Sequence, residues 1–235
     1  WGSLSAQNVG RNYARQVNTL IGTKGVGLTS GYLYPGATYP YGMVQFTPSY
    51  FSKRSGFVIN QLSGGGCEHM GNFPTFPVKG KLKMSPDNIL NYRINISEEK
   101  GHAGYYEAKV QEDIHAKLTV TERTGMASYE YPADQQYGTV IIGGGISATP
   151  IEQAAIVITA PNKCEGYAEG GNFCGLRTPY KVYFVAEFDT DALESGTWKR
   201  NELKPNTTFA EGEYSGVYFT FDVDKKKNVQ YKIGV

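Results

Sequence analysis

Residues able to do chemistry are concentrated in one short segment, where Cys67, Glu68 and His69 directly follow three glycines. Glycine has no Cβ, so a run of glycines lets the backbone take positive φ angles and approach a ligand closely. An apolar stretch at residues 57–62 predicts a strand before this run, and Pro74 follows it. We therefore expect a binding loop on a rigid scaffold, with an ordinary glycine-rich turn as the alternative.

A cysteine–histidine nucleophile is one chemistry to weigh, because Cys67 and His69 would share a side of an extended segment. Reactive cysteines usually lie at a helix N-terminus, which lowers the thiol pKa. Gly71 and Pro74 disfavour a helix after Cys67, so we expect no catalytic thiol. Neither a Lys-Ser/Thr pair nor a helix follows the glycines, which argues against a phosphate-binding loop.

Paired carboxylates are a second chemistry, because glycoside hydrolysis by the usual route uses two carboxyl groups about 5–10 Å apart. Glu187 and Asp189 alternate on one predicted strand, which would place their Cβ atoms roughly 6.5–7 Å apart. The solvated outer face of a half-buried strand explains the same pattern, and we favour that interpretation. The cysteines lack the spacing of a zinc site, so no structural metal is expected.

Composition indicates a β-rich protein with no nucleic-acid or membrane partner. The 235 residues carry a net charge of +1 without long runs of one sign. No apolar stretch approaches the ~18 residues of a membrane helix, and no signal peptide is visible. The 18 tyrosines and 29 glycines favour strands joined by tight turns.

The elements that must position the loop are predicted to form a large antiparallel β-sandwich, a single domain over residues 1–235. Strands are predicted at residues 43–46, 57–62, 92–96, 105–110, 114–121, 127–131, 139–142, 180–188, 217–223 and 229–235. One short helix is predicted at residues 7–20, where apolar residues recur at helical spacing. The last strand stops on the apolar Val235, which favours one domain of a longer polypeptide.

Three cysteines leave the disulfide pattern open. Cys164 and Cys174 flank a stretch that reads as a glycine-rich loop, and they could pair in an oxidising compartment. Such a pair would leave Cys67 free in the central loop. Sequence alone does not give the geometry that a disulfide requires.

Four stretches together resemble the N-terminal domain of glycoside hydrolase family 92, the bacterial exo-acting α-mannosidases. They are residues 17–23, residues 34–45 with Pro-Gly-Ala, residues 62–67 with Leu-Ser-Gly-Gly-Gly-Cys, and residues 171–175 with Gly-Asn-Phe-Cys-Gly. The resemblance implies a galactose-mutarotase-like β-supersandwich that packs against a following (α/α)6 catalytic domain. It also implies an inverting, calcium-dependent reaction on mannose-containing glycans, in the periplasm or outside the cell.

The resemblance places the calcium and the reactive carboxylates in that downstream domain. It therefore implies no catalytic residue, metal or cofactor in this chain, and no activity for this chain alone. The implied contribution is part of the substrate cleft. Cys67 maps onto the cysteine beside the sugar site, Gly66, Glu68 and His69 adjoin it, and Tyr34 is a candidate contact to the leaving sugar.

Departures from the family pattern leave the substrate linkage open. Gly65 stands where many members carry threonine, and Asn60 and Gln61 replace a His-Thr-like pair. An α-1,2 linkage is the default expectation, with α-1,3, α-1,4 and mannosyl-phosphate substrates as alternatives. Two other functions stay open: a free-standing carbohydrate-binding module and an aldose-epimerase-like enzyme. The epimerase would need a histidine and a glutamate in a motif, which His102, His115 and Glu187 do not form.

Overall fold

The strands of this chain form two antiparallel sheets in a computed structural model that describes residues 13–23, 33–49, 56–62, 69–87 and 95–235. Strands are numbered in chain order. Within these ranges one sheet has eight strands, in spatial order β1 (Ala37–Thr38), β2 (Gln45–Pro48), β3 (Phe57–Val58), β4 (Thr75–Lys79), β9 (Tyr137–Gly143), β16 (Ser215–Asp222), β13 (Glu194–Lys199) and β14 (Glu202–Pro205).

The second sheet has nine strands over the same ranges. In spatial order they are β15 (Phe209–Glu211), β10 (Ile151–Ala160), β11 (Lys163–Phe173), β12 (Leu176–Phe188), β17 (Asn228–Gly234), β8 (Thr124–Glu130), β7 (Ile114–Val120), β6 (Tyr105–Val110) and β5 (Ile96–His102). The two sheets enclose one apolar cluster to which both contribute. The predicted all-β sandwich is confirmed.

The alternation of apolar and polar residues in the sequence correctly predicted several strands that bury one face. In β7 and β12 the buried positions alternate with exposed ones, as a period of two requires. The strand β16 differs, because Ser215 to Phe221 are all buried. Residues 81–85 contact both ends of the neighbouring strand β13, where Lys81 pairs with Glu194 and the Ser85 hydroxyl donates to the Arg200 carbonyl.

The predicted N-terminal helix is wrong over residues 13–20, the part of it that the structure describes. Tyr13–Gln16 forms a single 3-10 turn, and residues 7–12 lie outside the described ranges. Helices of this length depend on burying an apolar face, but Tyr13 and Val17 are 68% and 54% exposed. The Asn18 side chain also accepts a hydrogen bond from the Leu20 amide at 3.0 Å, which favours a turn. Nowhere in the described ranges is a helix long and apolar enough for a bilayer crossing.

A second correction concerns residues 164–173, which belong to the strand β11 rather than to a glycine-rich loop. The glycines hid its alternation, and at least one is required by close packing. A Cβ on Gly166 would lie 2.3 Å from the Ala155 carbonyl oxygen of the neighbouring strand. Strands β1, β4, β10, β13, β14 and β15 were not predicted either, and the strand predicted at residues 57–62 is limited to β3. The strand predicted at residues 92–96 overlaps β5 only at Ile96, and residues 92–94 lie outside the described ranges.

Three buried hydroxyl groups connect the two sheets. The Tyr231 hydroxyl donates to Thr75 Oγ1 at 2.6 Å, and the Tyr129 and Tyr231 hydroxyl oxygens are 3.0 Å apart. Thr75 Oγ1 in turn donates to the Phe57 carbonyl at 3.2 Å. Because a carbonyl only accepts, Thr75 donates to Phe57 and Tyr231 donates to Thr75, which leaves Tyr129 to donate to Tyr231 or to Thr75 Oγ1, 3.2 Å away. Each hydroxyl is therefore satisfied in a core that would otherwise penalise it.

Buried tyrosines make the stability of the protein fall at alkaline pH. Burial raises the pKa of Tyr129, Tyr131 and Tyr231 above the ordinary value of 10.0. Above about pH 10 the unfolded chain loses these protons while the folded chain keeps them, so rising pH favours unfolding. Below that pH their contribution is fully present. Each tyrosine lowers the free energy of unfolding by up to about 1.4 kcal/mol per pH unit.

Urea denaturation at about pH 9, 10 and 11 measures this slope, which we expect to approach roughly 4 kcal/mol per pH unit for the three tyrosines together. Tyr131→Phe should reduce the slope by about a third. Tyr41→Phe is the control, because the Tyr41 side chain is fully exposed. An equal slope in the wild type and Tyr131→Phe would contradict the assignment.

Candidate functional site

His69 is buried against the hairpin that joins β11 and β12. Its side chain is 5% exposed, and Nδ1 lies 3.0 Å from the Asn172 carbonyl oxygen. The carbonyl can only accept, so Nδ1 carries a proton and donates it to this oxygen. The ring centroid is 5.1 Å from that of Phe173 and 5.8 Å from that of Tyr180. His69 is thus a packed and oriented side chain that fixes its own segment to the hairpin.

The backbone after His69 takes an unusual path. Met70, Gly71 and Phe73 have φ angles of 57°, 74° and 52°, in the left-handed region that only glycine adopts at little cost. Tertiary hydrogen bonds hold this path. The Gly71 amide donates to the Asn60 carbonyl at 2.6 Å, and the Ala148 amide donates to the Met70 carbonyl at 2.7 Å. Left-handed residues outside glycine persist where the surroundings enforce them, and they are frequent at functional sites.

Two asparagines and a tyrosine form a polar cluster beside this segment, which we call the amide cluster (Asn60, Asn72 and Tyr180). Asn72 Oδ1 accepts from the Asn60 side-chain amide at 3.2 Å and from the Tyr180 hydroxyl at 3.0 Å. The Asn72 backbone amide donates to Asn60 Oδ1 at 2.8 Å. Burial raises the pKa of Tyr180, and the hydrogen bond to Asn72 opposes part of that rise.

Several buried polar atoms around the amide cluster have no hydrogen-bond partner within the described part of the chain. They are Asn72 Nδ2, Gln61 Oε1 and Thr149 Oγ1. Buried polar atoms are normally paired, so these atoms retain capacity for one further donor or acceptor each. Gln61 also forms an isolated antiparallel bridge with Met70, which brings the two ends of residues 62–69 together. These unpaired polar atoms therefore lie beside the two ends of residues 62–69, the segment that contains Cys67, Glu68 and His69.

The predicted site residues fall into two separate surroundings. Gly66, Cys67 and Glu68 lie outside the described residues, so their roles stay predictions. Tyr34 is half-buried just before β1, and burial raises its pKa, against a hydrogen bond with Thr38 that lowers it. The strand β1 contacts β6 and β7, whereas His69 contacts the hairpin of β11 and β12 at the other end of that sheet. Tyr34 and His69 are therefore not brought together.

The structure answers whether Cys164 and Cys174 are joined by a disulfide. Cys174 is disulfide-bonded, whereas Cys164 is free and buried in the core, where burial raises the pKa of its thiol. The possible Cys164–Cys174 pair is therefore not formed. The two residues lie at opposite ends of the long strand β11 and its following turn, too far apart for a disulfide.

The paired carboxylates Glu187 and Asp189 belong to the solvated surface, as the favoured interpretation expected. Asp189 accepts from Lys226 Nζ at 2.6 Å and from the Gln230 amide at 3.2 Å. Glu187 is exposed on the outer face of β12. Nor do the described ranges contain a group of three or more His, Cys, Asp or Glu side chains placed to hold a metal ion.

A separate groove of about 370 Å³ lies on the outer face of the nine-stranded sheet. Those of its aromatic lining residues that are not buried come from three strands: Tyr167, Tyr183 and Phe209. Tyr167 and Tyr183 are register partners on adjacent strands, with ring centroids 6.0 Å apart, and Tyr183 is 61% exposed. Lys181 Nζ lies 4.1 Å from the Tyr167 ring centroid. Such rings offer flat apolar faces for stacking.

Sequence reasoning singled out His69 but missed most of its surroundings. Asn72 and Tyr180 were not predicted, because their contact spans 108 residues of sequence. One signal was present, since Asn60 and Gln61 were already recognised as unusual before the Leu-Ser-Gly motif. Two amide side chains at the end of an apolar strand are candidates for a polar site in any such chain.

Comparisons with known proteins agree with this fold and with the segments that carry the resemblance. Residues 16–235 match the family model "Glycosyl hydrolase family 92 N-terminal domain". A protein from Arthroderma benhamiae named "Uncharacterized secreted glycosidase" is 32% identical over 138 residues, which cover 50% of this chain and 17% of that protein.

Two solved structures share the architecture. The family GH92 α-mannosidase BT3965 from Bacteroides thetaiotaomicron superimposes with a TM-score of 0.78 at 23% identity, covering 94% of this chain and 33% of that one. The family GH92 inverting mannosidase BT2199 from the same species gives 0.77 at 23% identity, covering 94% and 31%. This chain therefore spans about a third of those structures and about a sixth of the fungal relative.

The likeness to the solved structures establishes the fold, and the family match extends over nearly the whole sequence, including the Leu-Ser-Gly-Gly-Gly-Cys segment. That match begins at residue 16 and continues to Val235. On this evidence the chain belongs to the glycosyl hydrolase family 92 N-terminal domain family.

Proposed function

We propose that this chain is the N-terminal domain of an exo-acting, inverting α-mannosidase and contributes one wall of its substrate cleft. The observation that carries the proposal is the family match over residues 16–235. It is supported by solved structures named as α-mannosidases, of which a region of this size is about a third. A catalytic domain that follows this chain would supply the remaining walls.

The wall would be built on the strained segment after His69. The amide cluster and the His69 contact with Asn172 fix the base of residues 62–69 from both ends. A site held by packed side chains loses less conformational entropy when substrate binds.

Calcium and the reactive carboxylates would belong to the remainder of the enzyme. An inverting glycosidase needs an acid and a base about 6.5–9.5 Å apart with a water between them. The residues described here do not fit a calcium site, because they include no group of three or more candidate ligands. What this chain would do is orient the sugar and exclude water from one side of the cleft.

An activity assay on two versions of the protein tests the proposal. The isolated chain and a version extended along its reading frame are incubated with an aryl α-mannoside, with calcium and with a chelator. We expect the extended version to exceed the isolated chain by at least about 10³-fold, because both reactive carboxyl groups would be missing from the latter. Proton NMR should show β-mannose as the first product of inversion.

Two results would contradict the proposal. Equal rates for the isolated and extended versions would place the reactive groups in this chain. A longer version without activity on any α-mannoside, but folded by circular dichroism, would remove the assignment of substrate. Glu187→Gln in the extended version is the control and should keep the full rate, because Glu187 is an exposed surface residue.

We also propose an extracellular or periplasmic location. The support is the disulfide at Cys174, since disulfides persist in oxidising compartments, and the word "secreted" in the name of the fungal relative. Fractionation of cells that express the natural gene tests this directly. Recovery of the protein in the cytosol, with Cys174 reduced, would contradict it.

A glycan-binding surface is the second candidate function, favoured by the outer groove. Exposed aromatic rings stack on sugars, and Tyr183 and Phe209 are 61% and 54% exposed there. Calorimetry with mannose oligosaccharides would detect binding by the isolated chain if this candidate is correct. Tyr183→Ala should then abolish the heat of binding, whereas Tyr13→Ala on the far exposed turn should leave it unchanged.

A further inference from the structure

We propose that the disulfide partner of Cys174 is Cys67, so that a covalent bond ties the Gly-Gly-Gly-Cys segment to the hairpin of β11 and β12. The chain has three cysteines, of which Cys164 is free and Cys174 is bonded. Within one chain Cys67 is the remaining candidate. This inference is independent of the substrate and of the reaction proposed above.

The contacts of His69 give a second, geometric argument. His69 follows Cys67 by two residues, and Asn172 precedes Cys174 by two residues. The His69 Nδ1 to Asn172 carbonyl distance is 3.0 Å, and the His69 and Phe173 ring centroids are 5.1 Å apart. Two residues of extended chain span at most about 7 Å, so both cysteines start from anchored neighbours within reach of each other. A disulfide needs Cα atoms about 4.4–6.8 Å apart.

The hairpin is shaped to present Cys174 at its tip. Cys174 has a φ angle of 52° and is followed by Gly175 at 84°, so the turn places two successive residues in the left-handed region. The Gly175 amide donates to Asn172 Oδ1 at 3.0 Å, which closes the turn. The same residue, Asn172, therefore holds the hairpin tip through its side chain and His69 through its carbonyl.

Formation of this bond is a two-electron oxidation. The Sγ atoms of Cys67 and Cys174 each lose a hydrogen, one S–S bond forms, and two electrons and two protons pass to an oxidant. The oxidant is a disulfide-bearing thiol oxidoreductase of the oxidising compartment, whose own disulfide becomes two thiols. In the bonded state Cys67 has no thiolate, so the free-thiol state considered in the sequence does not apply.

Peptide mapping without reduction tests the connectivity on the unmodified chain. Alkylation followed by digestion with trypsin and a glutamate-specific protease separates the three cysteines, because Arg54, Glu68, Glu169 and Arg177 bound the fragments. We expect residues 55–68 joined to residues 170–177, and Cys164 in a separate fragment that is alkylated only after denaturation. Reduction should split the joined species.

Three results would overturn the proposal: residues 55–68 recovered with an alkylated Cys67, a fragment with Cys164 joined to Cys174, or a Cys174-linked dimer on a non-reducing gel. A thermal measurement provides an independent arm. Reductant should lower the melting temperature of the wild type by about 5–15 °C and leave Cys67→Ala and Cys174→Ala unchanged. Cys164→Ala is the matched control and should keep the full response to reductant.

Discussion

Replacing Trp198 with alanine should lower the free energy of unfolding by about 3–5 kcal/mol. Trp198 lies on β13 and is completely buried, between its register partners Leu203 on β14 and Gly216 on β16. A Cβ at position 216 would lie 2.3 Å from the Trp198 ring, so the glycine at this position leaves the room that the indole occupies. Because β13 is paired on both sides, with β14 and with β16, its backbone has little freedom to fill the resulting cavity.

The chemistry of the indole sharpens this prediction. Trp198 Nε1 has no hydrogen-bond partner within the described residues, so its contribution comes from packing alone. Trp198→Phe should therefore cost only about 1–2 kcal/mol, since it keeps an aromatic ring and removes an unsatisfied donor. Urea denaturation measures both variants, with Tyr13→Ala as the exposed aromatic control. A loss below about 1 kcal/mol for Trp198→Ala would show that the core repacks.

Replacing Asn72 with alanine should cost about 2–4 kcal/mol, the second-largest effect expected. Asn72 is fully buried, and its Oδ1 is the acceptor for both the Asn60 amide and the Tyr180 hydroxyl. Removing that oxygen leaves two buried donors unpaired, each at a cost of about 1–3 kcal/mol, which partial rearrangement reduces.

Tyr180→Phe is the matched control for Asn72→Ala, because it deletes one donor and leaves the acceptor in place. It should cost about 1 kcal/mol, the usual net value of one hydrogen bond. In the double variant the two losses should not add, since both remove the same contact. Additive losses in urea denaturation would mean that Asn72 and Tyr180 act independently, and would separate Tyr180 from the amide cluster.

Local sequence patterns predicted those parts of the fold that local patterns determine. The alternation in β7, β12 and β17 follows directly from one buried face per strand. β7 and β17 were predicted within one residue of their observed bounds, whereas β12 begins at Leu176, four residues before its predicted start. The helix was overestimated because helical spacing of Tyr13 and Val17 says nothing about whether another element will cover them.

The candidate site was only partly predictable. A glycine run followed by Cys67, Glu68 and His69 is visible in the sequence, but the partner of His69 lies 103 residues away. That contact depends on the pairing of β11 with β12, which glycine-rich composition concealed. The left-handed angles at Met70 and Phe73 are likewise imposed by tertiary hydrogen bonds rather than by residue preference.

The hydroxyl chain between the sheets gives this protein its own magnetic resonance probe. Protons on Tyr129 and Tyr231 are sealed from water, so each should exchange slowly enough to give a resolved hydroxyl signal in proton spectra. Their disappearance would require the halves of the sandwich to separate rather than a loop to fray. Following the two hydroxyl signals during heating would therefore report when the two sheets separate, without a label or a mutation.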